Sequence, residues 1–565
     1  MYLMDPEKIN LDLIEAVLMW IVSGEHEYPR EGSILIFLPG IAEITSLYDQ
    51  LSDNSEFSPR YGKYVLLPLH SSLSSEEQAA IFKKPKNGAR KIVLSTNLAE
   101  TSVTIDDCVF VIDSGKMKEK RFDSNRNMES LDTVWVTRAN ALQRKGRAGR
   151  VMPGVSIHLF TSHRFKHHIL SQPIPEIHRV PLEQLLLHIK VLPNFADRSL
   201  HNVLESTLEP PVKDNIDSAI LRLQDVGAFD KDNNLTPLGQ HLAALPVDVR
   251  IGKLMLYGAI FSCVDAALTM AASLSYKTPF VAPFGKKEQA MVKKREFAIG
   301  HSDHLTVLRA YKKWQEIGAK SRLAGRNFAN ENYLSLKTLE MLTDIKFQLL
   351  ELLVSIGFVP INLHSYRHRT GQDRIMNLTG SELNKNGENI RLLTSVLCTA
   401  LYPNVVKVLT PQTVFLRSAA GAVPVEREAK ELRFKTQREE VFLHPSSVNF
   451  TVTNFQCPYL VYQEKVKTSK IFVRDCSMIP IVPLVLFSGS DVDICVSGGT
   501  TFVTLADGWI KFHVEKHEVA EMIKAIRAEL LDLLEEKIRD PLLNLLHNEK
   551  GERIINTIVH IATND

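Results

Sequence analysis

Apolar and polar positions alternate between two rhythms along the first part of the chain. Compact apolar runs of strand length occur at SILIFLPG (33–40), KYVLLPLH (63–70), KIVLST (91–96) and CVFVIDSG (108–115). Between them lie helical patterns. INLDLIEAVLMWIVSG, within 8–30, ends near Gly24; IAEITSLYDQL follows; SSLSSEEQAAIF opens with serines and glutamates, as a capped helix does. Apolar strands alternating with helices predict a parallel sheet covered on both faces.

After about residue 170 the rhythm changes. RVPLEQLLLHIKVL and IDSAILRLQDVGAFD read as amphipathic helices, and LTPLGQHLAAL (235–245) places Thr236 at an N-cap with Pro237 in the first helical position. Residues 251 to about 357 are almost entirely helical in pattern. Residues 361–395 read as a polar connection. From about 396 to 513, short β-like runs dominate: VVKVLT, TVFLRS, ELRFKT, YLVYQEKV, KIFVRD, VPLVLFSG and GWIKFHV. They predict a small barrel. Val519, Met522, Ile523, Ile526, Leu530, Leu533, Leu534 and Ile538 then form one helical stripe stopped by Pro541.

A chain of 565 residues is too long for one core. Lys+Arg 67 against Asp+Glu 65 leaves a net charge of +2, so any basic site has to be local. Six scattered cysteines with no CxxC argue against a cysteine zinc site and a disulfide framework, and for a reducing compartment. Asp5 and Glu7 break the order of a signal peptide. LMLYGAIFSCVDAALTMAASLS (254–275) is long enough to span a bilayer. Asp265 in its middle instead predicts two buried helices, with a turn at Ser262–Asp265 and Asp265 as N-cap of the second.

ALQRKGRAGRV (141–151) sets Arg144, Arg147 and Arg150 three apart, with Gly146 and Gly149 between them. Steps of three place the cations along one side of a helix. The row is either a solvated charged face or a grip on an anion. Two glycines in a short helix, each costing about 0.8–1 kcal/mol against alanine, suit close approach of another surface. Arginine's planar fork suits the oxygens of a triphosphate. KIVLST points Thr96 and Asn97 to a strand's carboxyl end, where parallel sheets bind ligands. TNLAETSVTID then offers small hydroxyls and the Asp106 carboxylate, as a phosphate and ribose site or as a plain Ser/Thr-rich turn.

STNLAETSVTI (95–105) and QRKGRAGR (143–150), in this order and separation, resemble motifs V and VI of the DEAH/RHA family of superfamily 2 helicases. ILIFLPG (34–40) resembles motif IV, and PLHSSLSSEEQ (68–78) the segment after it. PEIHRVPLEQL and LTPLGQHLAALPVDVRIGKLMLYGAIF resemble the family's winged-helix and ratchet regions. LYPNVV, HPSSVN and YLVYQEKVKTSKIFVRDCS resemble its OB-fold. The implied fold class is multidomain α/β: a RecA-like parallel-sheet lobe (1–170), a winged helix (171–250), a helical ratchet (251–360), the polar connection, an OB-fold barrel (396–513) and terminal helices (514–565).

The resemblance also assigns roles. Arg147 and Arg150 become arginine fingers on the γ-phosphate, and Gln143 orients the attacking water. Arg144, Thr104 and Asp106 fall at nucleotide-contacting positions, the last two at the ribose. Phe82 stacks on adenine or packs in the core. Gly40, His70, Ser71, Thr96 and Asn97 match RNA-backbone contacts; His444, Ser446 and Ser447 match an OB-fold loop that touches RNA. For His70 a capped strand end, and for the HPSS loop a plain turn, are the plainer alternatives. KMKEKRFD and MESLDTVWVT, flanking SNRN (124–127), become the family's β-hairpin wedge.

Neither G-x-x-x-x-G-K-[ST] nor Asp-Glu-x-His occurs in the sequence. The resemblance therefore implies ATP and Mg²⁺ held by a first lobe in cis, with the metal ligands there and none in this chain. The function it implies is 3′-to-5′ translocation on RNA carrying a single strand, and unwinding of that RNA, with this chain inactive alone. Any protein activator is left unnamed, no membrane partner is expected, and the cytoplasm is favoured over the nucleus. The alternative is an ATPase-dead RNA-binding or scaffold protein.

Overall fold

The structure is a computed structural model. It describes all residues except 1–4, 6–7, 59–61, 71–79, 84, 86–87, 102, 104, 124–127, 150–152, 284, 362–373, 410–414, 419–420, 425–428, 469, 489–491, 498–499, 506–507, 541–542, 544–547 and 565. Thr104, Arg150, the SNRN tip and the whole of SSLSSEEQ (71–78), Ser71 included, lie outside the described residues. The chain divides into two compact units. One comprises Met1–Arg121, Ser130–Arg179 and Val281–Lys287; the other comprises Phe122–Glu129, Val180–Phe280 and Glu288–Asp565.

The first unit is built on a five-stranded parallel sheet. Its strands are β1 (Ser33–Phe37), β2 (Tyr64–Leu69), β3 (Arg90–Ser95), β4 (Cys108–Asp113) and β7 (Val155–His158), in the order β2-β3-β1-β4-β7. Every residue of β1 and β4 is buried, because helices cover both faces. Side-chain alternation sorts the runs. Ile34, Ile36, Ile92, Leu94 and Ile112 enter one core, against Ile14, Leu18 and Ile21 of the helix Leu11–Ser23. Leu35, Phe37, Val93 and Val111 enter the other. Asn10 caps that helix, accepting from Leu13 N at 2.9 Å, and Gly24 ends it at φ 69°, a conformation suited to glycine. β5 (Lys116–Asp123) and β6 (Met128–Trp135) are the two arms of the expected hairpin.

In the second unit Thr236 Oγ1 accepts from Gly239 N and Pro237 stands at the helix start, as the sequence predicts. The apolar stretch at 254–275 is two buried helices, Val249–Ile260 and Val264–Ser275, separated by Ser262 at φ 51°. Asp265 is not the N-cap. It lies inside the second helix, where its carboxylate accepts from the buried Lys346 ammonium at 2.7 Å. The expected polar connection is partly structured: Arg374–Thr379 is helical and buried Asn384 accepts from Asp265 N at 2.7 Å.

The barrel closes on five strands: β8 (Val405–Leu409), β11 (Arg433–Lys435), β12 (Glu440–Leu443), β13 (Tyr459–Lys467) and β14 (Ile471–Met478). Their order is β14-β12-β11-β8-β13, and β13 pairs back with β14. β9 (Phe415–Ser418) and β10 (Gly421–Pro424) form a separate two-stranded ribbon. Three of the runs expected in the barrel lie elsewhere: the described part of TVFLRS, Phe415–Ser418, belongs to this ribbon. VPLVLFSG contains a helix, Ile481–Phe487, whose end is held where Arg527 donates to the carbonyls of Val485 and Ser488. GWIKFHV belongs to a separate three-stranded sheet of β15 (Asp493–Ser497), β16 (Thr500–Leu505) and β17 (Ile510–Val514). In the helix His517–Arg539, Leu530 and Leu533 are buried, but Val519 and Met522 of the expected stripe are exposed.

Candidate nucleotide and nucleic-acid interface

Register aligns the carboxyl ends of the sheet. Leu69 pairs with Ser95, Ser95 with Phe37, Phe37 with Asp113, and Asp113 with His158. One residue further on stand His70, Thr96, Leu38 and Ser114. The edge is tied across strands: Leu38 N donates to Ser95 O at 2.8 Å and Thr96 N to Leu69 O at 3.4 Å. Gly40, His70, Thr96 and Asn97 therefore share the edge where parallel sheets bind ligands.

Thr96 is buried and Asn97 is exposed. Thr96 O and Asn97 O accept from Ala99 N and Glu100 N, starting the short helix Leu98–Thr101. His70 is part-buried, and burial, with the Lys118 ammonium adding to it, holds its pKa below the ordinary value. Asp106 is exposed in the turn before β4. Phe82 is 62 % exposed while neighbouring Ile81 is 1 % exposed, so core packing belongs to Ile81, not Phe82.

The arginines do not share one helix face. The helix Arg138–Lys145, opened by a Thr137–Asn140 capping box, ends at Gly146, and Arg147 lies in the following turn. Gln143 is exposed. Arg144 points inward and is 0 % exposed. Its Nε donates to Glu100 at 3.1 Å and its Nη1 to Asp113 at 2.7 Å, above the Phe37 ring. Arg144 is thereby removed from the expected nucleotide contacts: its charge is neutralised inside the lobe, out of reach of an external phosphate. Burial raises the Asp113 pKa, but Arg144 and hydrogen bonds from His158 and Gly115 outweigh it and hold the value below the ordinary one.

Arg147 differs. Its Nε and Nη1 are buried and have no hydrogen-bond partner among the described residues. Nor, among the described residues, do the glycines admit another part of this chain. A Cβ on Gly149 would meet nothing within 4 Å, and one on Gly146 only the carbonyls of Gln143 and Leu142.

In the second unit, His444 is part-buried and its Nδ1 lies 2.7 Å from Ser446 Oγ. Ser447 is 2 % exposed and its hydroxyl donates to Asp303. The expected RNA contact by the Ser447 side chain is therefore corrected. The same carboxylate accepts from Val448 N at 2.9 Å, Cys476 N at 3.0 Å and Lys294 Nζ at 3.2 Å, so Ser447 anchors the loop.

Five families match in chain order. "Helicase conserved C-terminal domain" covers 13–152, and the HA2 "winged-helix" and "ratchet-like" domains cover 219–247 and 248–307. "Oligonucleotide/oligosaccharide-binding (OB)-fold" covers 393–492 and "C-terminal domain in RNA helicases" covers 503–564. The mouse (Mus musculus) and human (Homo sapiens) proteins DHX57, provisionally named ATP-dependent RNA helicases, are 52 % identical to this sequence over its whole length. The chain belongs to the DEAH/RHA helicase family. Bovine (Bos taurus) DHX36, named an ATP-dependent DNA/RNA helicase, is 39 % identical over 95 % of the chain. The chain spans 41 % of the length of the DHX57 proteins and 50 % of DHX36. Among the described residues no helix is long and apolar enough to cross a membrane.

Sequence reasoning missed three members of this site. Glu100 and Asp113 neutralise Arg144, and Lys118 of β5 stands 3.6 Å from Glu43 beside Gly40. Asp113, ending a wholly apolar strand, carried the one usable signal: a carboxylate in that place needs a buried cation.

Proposed function

We propose that this chain acts as the second RecA-like lobe and C-terminal region of an ATP-dependent RNA helicase. It supplies Arg147 and Arg150 across a cleft to a nucleotide held by a first lobe. The observation that carries this reading is the part-buried Arg147 side chain, whose Nε and Nη1 are buried and lack any hydrogen-bond partner among the described residues, beside an Arg144 whose charge is paired with Glu100 and Asp113. A buried cationic donor without an acceptor is costly, and a phosphate oxygen would satisfy it. ATP with Mg²⁺ would supply the phosphoanhydride whose cleavage drives the cycle.

In this mechanism Arg147 and Arg150 offset charge developing on the transferred phosphoryl group. Gln143, exposed in the last turn of its helix, orients the attacking water. Asp106 and Thr104 hold the ribose, and Phe82 offers an exposed ring for the base. Thr96, Asn97, Gly40 and His70 hold the RNA backbone along the sheet edge, and Ser71 is a further backbone contact. Opening and closing of the cleft moves that edge along the strand in the 3′-to-5′ direction. Recognition of backbone rather than base edges makes binding salt-dependent and tolerant of sequence. His444 and Ser446 add contacts from the barrel.

RNA-stimulated hydrolysis tests the reading. The 565-residue chain alone is expected to turn over no ATP. The same chain joined to a first lobe bearing a phosphate loop is expected to turn it over in the presence of RNA. Hydrolysis by the chain alone would reject the division of labour.

A further inference from the structure

Gly40 does not need to be glycine for its backbone. Its φ of −162° is extended and open to any residue. Space is what demands it: a Cβ there would lie 2.6 Å from Lys118 Nζ and 3.1 Å from its Cδ and Cε. The end of the Lys118 side chain is thus laid over the Gly40 backbone at the carboxyl edge of the sheet. Among the described residues its one ion partner is Glu43 Oε2 at 3.6 Å, with the two side chains 28 % and 29 % exposed. That oxygen accepts no hydrogen bond among the described residues, so the pair is held by charge alone. Part-exposed pairs of this kind contribute little to stability, so the ammonium can exchange Glu43 for a stronger anion. His70, on the neighbouring strand end, feels the same charge.

We infer that Lys118 grips a phosphate of the bound RNA strand, and that position 40 is glycine to leave its ammonium room on the strand's path. This rests on the RNA-binding reading above and adds a residue to it. Gly40 then contributes by what it lacks. A methyl group there would push aside the flexible end of a lysine, at little cost to the fold, and would carry the charge off the RNA path. A lysine serving only its pair with Glu43 would not link RNA affinity to the size of residue 40.

The test is a salt series of oligouridylate binding to the full chain, for the parent, Lys118→Met, Gly40→Ala and the double variant. Each single variant should bind severalfold more weakly and flatten the log–log salt slope by about 0.7, the share of one single-strand phosphate. The double variant should be no weaker than Lys118→Met. Melting temperatures should stay close to the parent's. The His70 ring, followed by NMR, should titrate at higher pH in both single variants, because the nearby cation has gone or moved. Parental affinity and slope in Lys118→Met would overturn the assignment. So would a weakened Gly40→Ala beside an unaffected Lys118→Met, which would make the Gly40 backbone the contact. An unmoved His70 titration in both variants would reject the packing argument. A parent that binds no RNA at any salt would overturn the underlying RNA reading itself.

Discussion

Arg144 Nη1 lies 2.7 Å from Asp113 Oδ1, and both side chains are 0 % exposed. Removing one partner strands the other as a buried charge. Arg144→Ala should therefore destabilise the lobe by about 3–5 kcal/mol in denaturant unfolding. Arg144→Lys should recover part of that, since one ammonium cannot reach Glu100 and Asp113 as the fork does. Asp113 has its folded pKa below the ordinary 3.8. Its contribution is thus fully present above that value and is lost as pH falls through the folded pKa. Acid unfolding of an Asp113→Asn variant should lack this component.

Ser447→Ala should act on stability rather than on RNA. The change leaves the Asp303 carboxylate, which also serves Val448 N, Cys476 N and Lys294, short of one donor inside the unit. A loss of about 1–3 kcal/mol is expected, read as a lower melting temperature. Ser446→Ala should be close to neutral in the same assay. Equal stabilities for the two variants would contradict the burial of Ser447.

Legibility followed locality. The continuous apolar runs of β1 and β4 could be read directly, because a strand covered on both faces has no polar side to confuse the pattern. Thr236 and Pro237 were readable because a cap is made within four residues. IVPLVLF was not: a seven-residue apolar run fits a strand or a helix, and what fixes it as a helix end is Arg527, 42 and 39 residues away from its acceptors. The arginine row failed for the same reason. A stride of three puts side chains on one side only while the helix lasts, and it ends before Arg147. Which arginine turned inward was decided by Glu100 and Asp113, 44 and 31 residues distant in sequence. At the sheet edge, motif spacing identified strand ends but not Lys118, which a different strand brings to Gly40.

His304 gives a pH prediction. Burial lowers its pKa to about 4, and Nδ1 lies 2.7 Å from Ser477 Oγ. The unfolded chain takes up this proton near the ordinary 6.5, whereas the native state waits until about 4. Stability from neutral His304 is therefore complete above 6.5 and falls as pH drops through that window, by about 3 kcal/mol. Asp475, raised to about 6 by burial and by neighbouring Asp303, works the other way: its native carboxyl protonates first as pH falls, offsetting part of the loss. The difference between parent and His304→Asn, measured by urea unfolding from pH 7 to 4, isolates the histidine. The parent should lose more stability than the variant across that range. Parallel curves would place His304 in contact with solvent.

Arg147 separates a structural charge from a chemical one. In a protein carrying a first lobe, Arg147→Ala should lower kcat for RNA-stimulated hydrolysis by about 10³-fold or more, as loss of an arginine finger does. Arg150→Ala should do likewise. RNA affinity should hardly move, because the missing contact is to charge that develops on the nucleotide. Arg147→Lys should also fail, since an ammonium lacks the planar fork. Stability gives the opposite sign from Arg144. Arg147 has two buried nitrogens with no acceptor among the described residues, so its removal takes away two unsatisfied donors rather than a buried ion pair of the Arg144 kind. The Arg147→Ala chain should unfold at the parental denaturant midpoint or above it, while Arg144→Ala unfolds well below. Normal turnover by Arg147→Ala, or a destabilisation matching that of Arg144→Ala, would return Arg147 to a structural role.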